Sequence, residues 1–102
     1  DITASYMQYV HTHSSLLPSK KKALEIGCGS GFFLNALQGW GFEEVYGVEP
    51  STEAVNKAGA LFKNIYCGFF EEAPYEAATF DLIGCFQVLD HLIEREEDAN
   101  FP

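Results

Sequence analysis

Three glycines alternate with other residues in the segment LEIGCGSG, which covers residues 24–31. Gly27, Gly29 and Gly31 follow an apolar run and leave much of the main chain without side chains. Glycine adopts backbone conformations that are costly for other residues, and it lets a ligand approach the main chain closely. A helix that starts directly afterwards would offer free N–H groups, which favour a carboxylate or a phosphate. The segment therefore predicts a site for an anionic group; a tight turn without a ligand is the alternative interpretation.

A carboxylate ends a second apolar segment, VYGVEP, which covers residues 45–50. Glu49 follows Gly29 by about twenty residues, the separation at which an acidic residue binds the ribose in dinucleotide sites. A carboxylate at a strand end can accept hydrogen bonds from both hydroxyls of a ribose. The spacing therefore predicts that Glu49 holds the sugar of a nucleoside-containing ligand; an ordinary surface glutamate before a helix is the alternative.

The glycine spacing differs from two common nucleotide-binding motifs. The dinucleotide motif G-x-G-x-x-G would require glycine where this chain has Phe32, and Gly31 comes one position early. A G-K-[ST] sequence does not follow, which excludes a nucleoside-triphosphate loop. A nicotinamide-dependent oxidoreductase therefore remains an alternative that the spacing disfavours.

Composition limits the other classes of partner and site. The chain has 102 residues, 47% of them hydrophobic, which indicates one small folded domain. A net charge of −9 disfavours nucleic acid as a partner, and no apolar run reaches the roughly 18 residues of a membrane span. Three cysteines without a C-x-x-C pair predict reduced thiols, a cytoplasmic location and no metal site.

The segments that must position the glycines and Glu49 alternate between strand and helix. Apolar runs predict four buried strands, at residues 22–28, 44–49, 64–68 and 80–86. Helical spacing of apolar residues predicts four helices, at residues 2–17, 32–41, 52–62 and 87–98. This alternation predicts an α/β fold, a Rossmann-like parallel sheet with helices on both faces. We expect a helical segment over residues 1–22 and the core over residues 23–102.

Three segments together resemble the motifs of class I S-adenosylmethionine-dependent methyltransferases of the small-molecule type. LEIGCGSG is similar to the family's E/D-x-G-x-G-x-G motif, and GVEPS is similar to the motif that ends in the ribose-binding acid. APYEAATFDLIGCFQVLDHL resembles a P-F-x-x-x-x-F-D run followed by V-L-E-H. The resemblance covers about residues 23–93. It implies S-adenosylmethionine as cofactor and methyl transfer to a small-molecule acceptor.

The resemblance also implies the residues of the cofactor site. The glycine motif would line the methionine end, Glu49 would hold the ribose, Phe69 and Phe70 would surround adenine, and the end of the fourth strand would border the methionine moiety. The full expected set is Glu25, Gly27, Cys28, Gly29, Gly31, Glu49, Pro50, Phe69, Phe70, Phe86 and Gln87. The family often has Asp at the position of Phe69, so Phe69 is expected to pack on adenine or to leave backbone contacts.

Catalytic residues are less well indicated. His91 is a candidate general base because histidine titrates near neutral pH, although its place in an amphipathic helix favours a structural or site-lining role. Tyr6 is a candidate for holding a sulfonium by cation–π attraction; a half-buried helix tyrosine is the alternative. Asp81 is expected to be structural, as in the family.

The family's sheet has seven strands, and four are predicted here. We therefore expect the cofactor-binding part of a methyltransferase, truncated after the fourth strand and inactive on its own. A non-catalytic S-adenosylmethionine-binding module is the alternative. An unpaired apolar edge at residues 82–86 would favour self-association.

Overall fold

The computed structural model describes residues 2–59 and 64–85, and its elements follow the alternation expected from the sequence. The helices are α1 (Ile2–Thr12), α2 (Phe32–Trp40) and α3 (Thr52–Ala58). The strands are β1 (Lys22–Ile26), β2 (Glu44–Glu49), β3 (Ile65–Cys67) and β4 (Leu82–Gly84). One-turn 3-10 helices cover Ser14–Leu16, Phe70–Glu72 and Ala77–Thr79. The helix predicted at residues 87–98 lies outside the described residues.

The four strands form one parallel sheet in the order β3-β2-β1-β4. The chain runs outward from β1 through β2 to β3 and then crosses to β4 on the other side of β1. The strand order therefore reverses at β1, and ligands of such sheets bind at the carboxyl ends of the strands at this point. The predicted Rossmann-like α/β fold is confirmed, and the glycine segment and Glu49 both lie at that edge.

One face of the sheet is buried under α1 and α2. Ala23 of β1 and Val45 of β2 belong to a core that includes Tyr6, Phe33 and other side chains of the two helices. Because side chains alternate along a strand, Glu25 and Gly47 lie on the same face as Ala23 and Val45. The apolar side chains of α1 and α2 therefore bury a face of the sheet that also carries the carboxylate of Glu25.

The connection between β3 and β4 contributes aromatic rings that pack on β2. Tyr46 lies 5.5 Å from Tyr75 and 5.6 Å from Phe80 between ring centroids, in both cases edge to face. Tyr46 alternates with Val45 and therefore faces away from α1 and α2. The loop that carries the chain to β4 thus covers part of the opposite face.

Several predicted boundaries were wrong, and local hydrogen bonds explain only some of the differences. β1 ends at Ile26 rather than at residue 28, and β3 covers Ile65–Cys67 rather than residues 64–68. The first helix ends at Thr12 rather than continuing to residue 17, and the side chains of Thr12 and His13 each bond a carbonyl four residues back. Such side-chain bonds compete with continuation of the helix. The fourth strand covers Leu82–Gly84 rather than starting at residue 80, and residue 86 of the predicted strand lies outside the described residues.

Asp81 holds the start of β4 beside the start of β1, the structural role expected for it. Its Oδ2 accepts hydrogen bonds from the main-chain N–H groups of Lys21 and Lys22 at 3.0 and 3.1 Å. Its own N–H donates to the Lys22 carbonyl at 2.8 Å.

Within the described ranges, no helix combines the length and the apolar content needed to cross a bilayer.

Candidate functional site

The loop between β1 and α2 depends on glycine at three positions. Gly27, Gly29 and Gly31 have φ values of 75°, 58° and 91°, in the left-handed region that other residues rarely adopt. The N–H groups of Gly27 and Cys28 both donate to the carbonyl of Val48, at 2.8 and 3.2 Å, which fixes the loop against β2. The chain therefore turns sharply into α2 with a main chain that lacks side chains at alternate positions.

Glu49 ends β2 and contacts this loop directly. Its Oε1 accepts the N–H of Gly29 at 2.8 Å, and its Oε2 accepts the N–H of Ser51 at 2.8 Å. The side chain is 9% exposed, so its position is fixed by the fold. Each carboxylate oxygen has a second lone pair and can accept another hydrogen bond, for example from a hydroxyl of a ligand.

Glu25 is the second acidic side chain of the site, and it is fully buried. Its exposed fraction is 0%, and neither carboxylate oxygen has a hydrogen-bond partner among the described residues. Burial, with a smaller contribution from the charge of Glu49, raises the pKa of Glu25 from 4.5 to about 8. A buried carboxylate without a partner is costly, so this group is free to take a donor from a ligand.

Two glycines flank Glu25 in the sheet. Glu25 is in register with Gly47 of β2 and with Gly84 of β4. Neither neighbouring strand therefore places a side chain beside the carboxylate. Gly47 and Gly84 are not among the site residues expected from the sequence, although an isolated glycine inside a strand pattern is a known sign of close packing.

Gly47 is required because the glycine loop packs tightly against β2. A Cβ at this position would lie 2.5 Å from Cys28 Sγ and 2.9 Å from Leu34 Cδ1. Cys28 is buried, and burial raises the pKa of its thiol to about 12. The side chain of Cys28 belongs to the core, so any contact of this residue with a ligand would come from its main chain.

The remaining predicted site residues are distributed between the site, the core and the undescribed part of the chain. The N–H of Gly68 donates to the carbonyl of Glu49 at 3.0 Å, which holds the segment after β3 next to the acid. Phe69 follows it with 60% of its surface exposed, and Phe70 is half-buried in a 3-10 turn. Pro50 is exposed directly after Glu49.

Phe86, Gln87 and His91 lie outside the described residues. Tyr6 is buried in the core, with its ring edge to face against Phe33 at 5.8 Å between centroids. This is the packing role that was the alternative to a sulfonium contact.

The fold, the glycine loop and the acid at the end of β2 define a class of protein. Residues 2–97 match the family model described as a methyltransferase domain, and the chain belongs to this family. The resemblance noted from the sequence is thereby confirmed, and the class is a methyltransferase rather than the nicotinamide-dependent oxidoreductase kept as an alternative.

Among known proteins, the chain is similar to ubiquinone biosynthesis O-methyltransferases. It is 30% identical over 99 residues to that of Burkholderia multivorans, a match covering 90% of this chain and 41% of the relative. It is 31% identical over 99 residues to that of Burkholderia cenocepacia, covering 90% and 41%. It is 32% identical over 91 residues to that of Burkholderia ambifaria, covering 82% and 38%. The chain thus spans about two fifths of the length of these curated relatives.

Proposed function

We propose that the chain binds S-adenosylmethionine at the carboxyl ends of β1 and β2 and forms the cofactor-binding part of a methyltransferase for a small molecule. The observation that carries the proposal is the hydrogen bond between Gly29 and Glu49, because it brings the glycine loop next to the acid that we propose binds the ribose. S-adenosylmethionine would supply an electrophilic methyl group on its sulfonium sulfur.

The residues at the site fit the parts of this cofactor. The unpartnered carboxylate of Glu25 suits a cationic ammonium group, and the open main chain of the glycine loop suits a carboxylate. Glu49 retains acceptor capacity for a ribose diol. The exposed ring of Phe69, held near Glu49 through Gly68, offers a face for stacking on a base. Residues suited to the ammonium, the carboxylate, the ribose and the base of the cofactor therefore lie at one edge of the sheet.

The contribution of these residues to the reaction would be one of orientation. Methyl transfer from a sulfonium is an in-line displacement, and alignment of the reacting atoms can lower its barrier by several kcal/mol, up to about 11 kcal/mol. Glu49 and the glycine loop would fix both ends of the cofactor, because each is itself fixed by main-chain hydrogen bonds. His91 remains a candidate general base from the sequence alone.

The acceptor is proposed to be a small molecule that is methylated on oxygen. The names of the relatives, O-methyltransferases of ubiquinone biosynthesis, support an oxygen nucleophile. A non-catalytic S-adenosylmethionine-binding module is the alternative. A methyl-transfer assay on phenolic acceptors separates the two, since binding without turnover in the full-length gene product would favour the module.

Isothermal titration calorimetry with S-adenosylmethionine and, separately, with NAD⁺ tests the proposed cofactor. We expect S-adenosylmethionine to bind and Glu49→Ala to weaken it at least tenfold, because a hydrogen bond to a charged group contributes about 1.5–3 kcal/mol. Glu43→Ala is the matched control, since Glu43 is an exposed carboxylate just before β2. Equal affinity of the Glu49 and Glu43 variants, or binding of NAD⁺ instead, would contradict the proposal.

Self-association through residues 82–86 is a further part of the proposal. β4 lies at one edge of the described sheet, and Ile83 is 40% exposed there. Unpaired edge strands are templates for pairing with a second chain, and a lysine at the edge opposes it. We expect sedimentation velocity to show dimers that Ile83→Lys abolishes; a monomer at every concentration would contradict self-association.

A cytoplasmic location is proposed from the free thiols of Cys28, Cys67 and Cys85.

A further inference from the structure

We propose that Tyr75 is a positioning residue for the cofactor site, because its hydroxyl ties the connection between β3 and β4 to the sheet and thereby holds Phe69 beside Glu49. This inference rests on the proposed function, since it takes Phe69 as the residue that stacks on the base of the ligand. It goes further in assigning part of the ligand affinity to a hydrogen bond at the other end of β3.

The connection between β3 and β4 is fixed to the sheet at its two ends by main-chain hydrogen bonds. At its start, the N–H of Gly68 donates to the carbonyl of Glu49 at 3.0 Å. At its end, the N–H of Asp81 donates to the carbonyl of Lys22 at 2.8 Å. The hydrogen bonds of its two one-turn 3-10 helices stay within the connection. The position of its middle therefore depends on side chains.

Tyr75 links the middle of this connection to the sheet. Its hydroxyl donates to the carbonyl of Asn64 at 3.1 Å, and within the described part of the chain no other hydrogen bond joins residues 69–80 to the rest of the fold. The N–H of Gly47 donates to the same carbonyl at 3.0 Å, so β2 fixes the acceptor. A carbonyl oxygen has two lone pairs, and here they join the connection and β2 through one atom.

Aromatic packing holds the ring of Tyr75 against β2 independently of the hydroxyl. The ring centroid lies 5.5 Å from that of Tyr46 and 6.0 Å from that of Phe80, edge to face in both cases. Tyr46 is itself fixed, since its hydroxyl donates to the carboxylate of Glu44 at 2.6 Å. Removal of the Tyr75 hydroxyl alone therefore keeps the ring packing and loses only the link to the sheet.

The link lies at the opposite end of β3 from the proposed site. Asn64 directly precedes β3, whereas Glu49 is in register with Cys67, the last residue of that strand. Phe69 lies between the first anchor of the connection and Tyr75, and 60% of its surface is exposed, so its own packing does not fix it. Because ordering a side chain on binding costs free energy, a positioned ring binds more tightly than a mobile one.

Isothermal titration calorimetry of the whole chain with S-adenosylhomocysteine tests this positioning role. Tyr75→Phe keeps the ring and removes the hydroxyl, and we expect about threefold to tenfold weaker binding, the effect of one net hydrogen bond. Thr79→Val is the matched control, because the Thr79 hydroxyl donates to the carbonyl of Glu76 at 2.8 Å, within the same connection. We expect this variant to bind within about twofold of the wild type.

A double-mutant cycle with Phe69→Ala shows whether Tyr75 acts through Phe69. In the Phe69→Ala background, Tyr75→Phe should weaken binding by less than about twofold, because the ring that it positions is gone. Amide hydrogen exchange adds a local readout. Tyr75→Phe should accelerate exchange at Glu72 and Ala73, whose N–H groups close the turn after Phe69, and leave exchange at Val55 in α3 unchanged.

Equal affinity of Tyr75→Phe and the wild type, or additive effects of the two substitutions, overturns this inference alone. A Tyr75→Phe variant that does not fold also overturns it, because the hydroxyl would then serve the stability of the whole fold. Absence of S-adenosylhomocysteine binding by the wild type instead overturns the proposed function on which the inference rests.

Discussion

The main-chain N–H of Gly29 donates a hydrogen bond to Oε1 of Glu49 across 2.8 Å. The loop after β1 and the last residue of β2 are thereby held together without a ligand. Glu49 also accepts the N–H of Ser51, so one carboxylate organises both the glycine loop and the start of the segment leading to α3. The acid at the end of β2 consequently has a structural role in addition to its proposed binding role.

Replacement of Glu49 by alanine is expected to destabilise the protein by about 1–3 kcal/mol, because it leaves two main-chain N–H groups without their charged acceptor. Urea denaturation measures the loss, and amide hydrogen exchange should accelerate at Gly29 and Ser51. Glu43→Ala, at an exposed position, should change the free energy of unfolding by less than about 0.5 kcal/mol. Unchanged exchange at Gly29 and Ser51 would show that Glu49 does not organise the loop.

Replacement of Gly47 by alanine is expected to cost about 1–3 kcal/mol of stability through overpacking. The added Cβ would lie 2.5 Å from Cys28 Sγ and 2.9 Å from Leu34 Cδ1. Gly39 in α2 provides the matched control, since a Cβ there meets nothing within 4 Å. Gly39→Ala should raise stability by about 0.5–1 kcal/mol through helix propensity. Equal free energies of unfolding for the two variants would contradict this packing.

The stability of the unliganded protein should fall as the pH rises from about 5 to 8. The pKa of Glu25 is raised from 4.5 to about 8 in the folded chain, so over this range the folded state holds a proton that the unfolded state has lost. The free energy of unfolding then decreases by at most about 1.4 kcal/mol per pH unit. Urea denaturation at several pH values measures the slope, which Glu25→Gln should remove.

Asp81 has the opposite dependence in a different pH range. The N–H of Lys22, its main stabilising partner, lowers the pKa of Asp81 below 3.8. Its contribution is therefore lost only in more acidic solution and does not obscure the slope from Glu25. A wild-type stability that is flat or rising between pH 5 and 8, and that matches Glu25→Gln, would contradict a neutral buried Glu25.

Alkylation should distinguish Cys28 from the other two cysteines. Cys28 is buried and its pKa is raised to about 12 by burial, so almost none of it is thiolate at pH 8. Cys67 and Cys85 are exposed. Mass spectrometry after iodoacetamide treatment is expected to show modification of Cys67 and Cys85, with Cys28 reacting only in denaturant. Rapid alkylation of Cys28 in the folded protein would contradict its place in the core.

Much of the fold could be predicted from the sequence because the spacing of the apolar residues and the turn and capping residues between them indicate the same elements. The segment EVYGVE has apolar residues at both odd and even positions and ends before a helix N-cap. β2 covers the same residues, Glu44–Glu49. Ser51 is the N-cap of the next helix, a position that serine favours, and its Oγ accepts the N–H of Ala54 at 3.2 Å. Boundaries that depend on side-chain bonds to the backbone, such as the end of α1 at Thr12, carry no comparable pattern.

The candidate site was predictable where chemistry depends on residue type and spacing. Gly29 and Glu49 could be paired from their separation in the chain, but not the hydrogen bond that joins them, since it depends on the register of β1 and β2. The glycines beside Glu25 were missed for the same reason. Gly47 and Gly84 come from different strands, and only the sheet order places both next to β1.

A crystal structure of the chain with S-adenosylhomocysteine tests the central claim most directly. We expect both ribose hydroxyls within hydrogen-bond distance of the Glu49 carboxylate, with the amino-acid group of the ligand against the main chain of the glycine loop. Control crystals with adenosine should place the sugar on the same oxygens. Ribose hydroxyls bound elsewhere, with Glu49 contacting only the N–H groups of Gly29 and Ser51, would contradict the assignment of this acid.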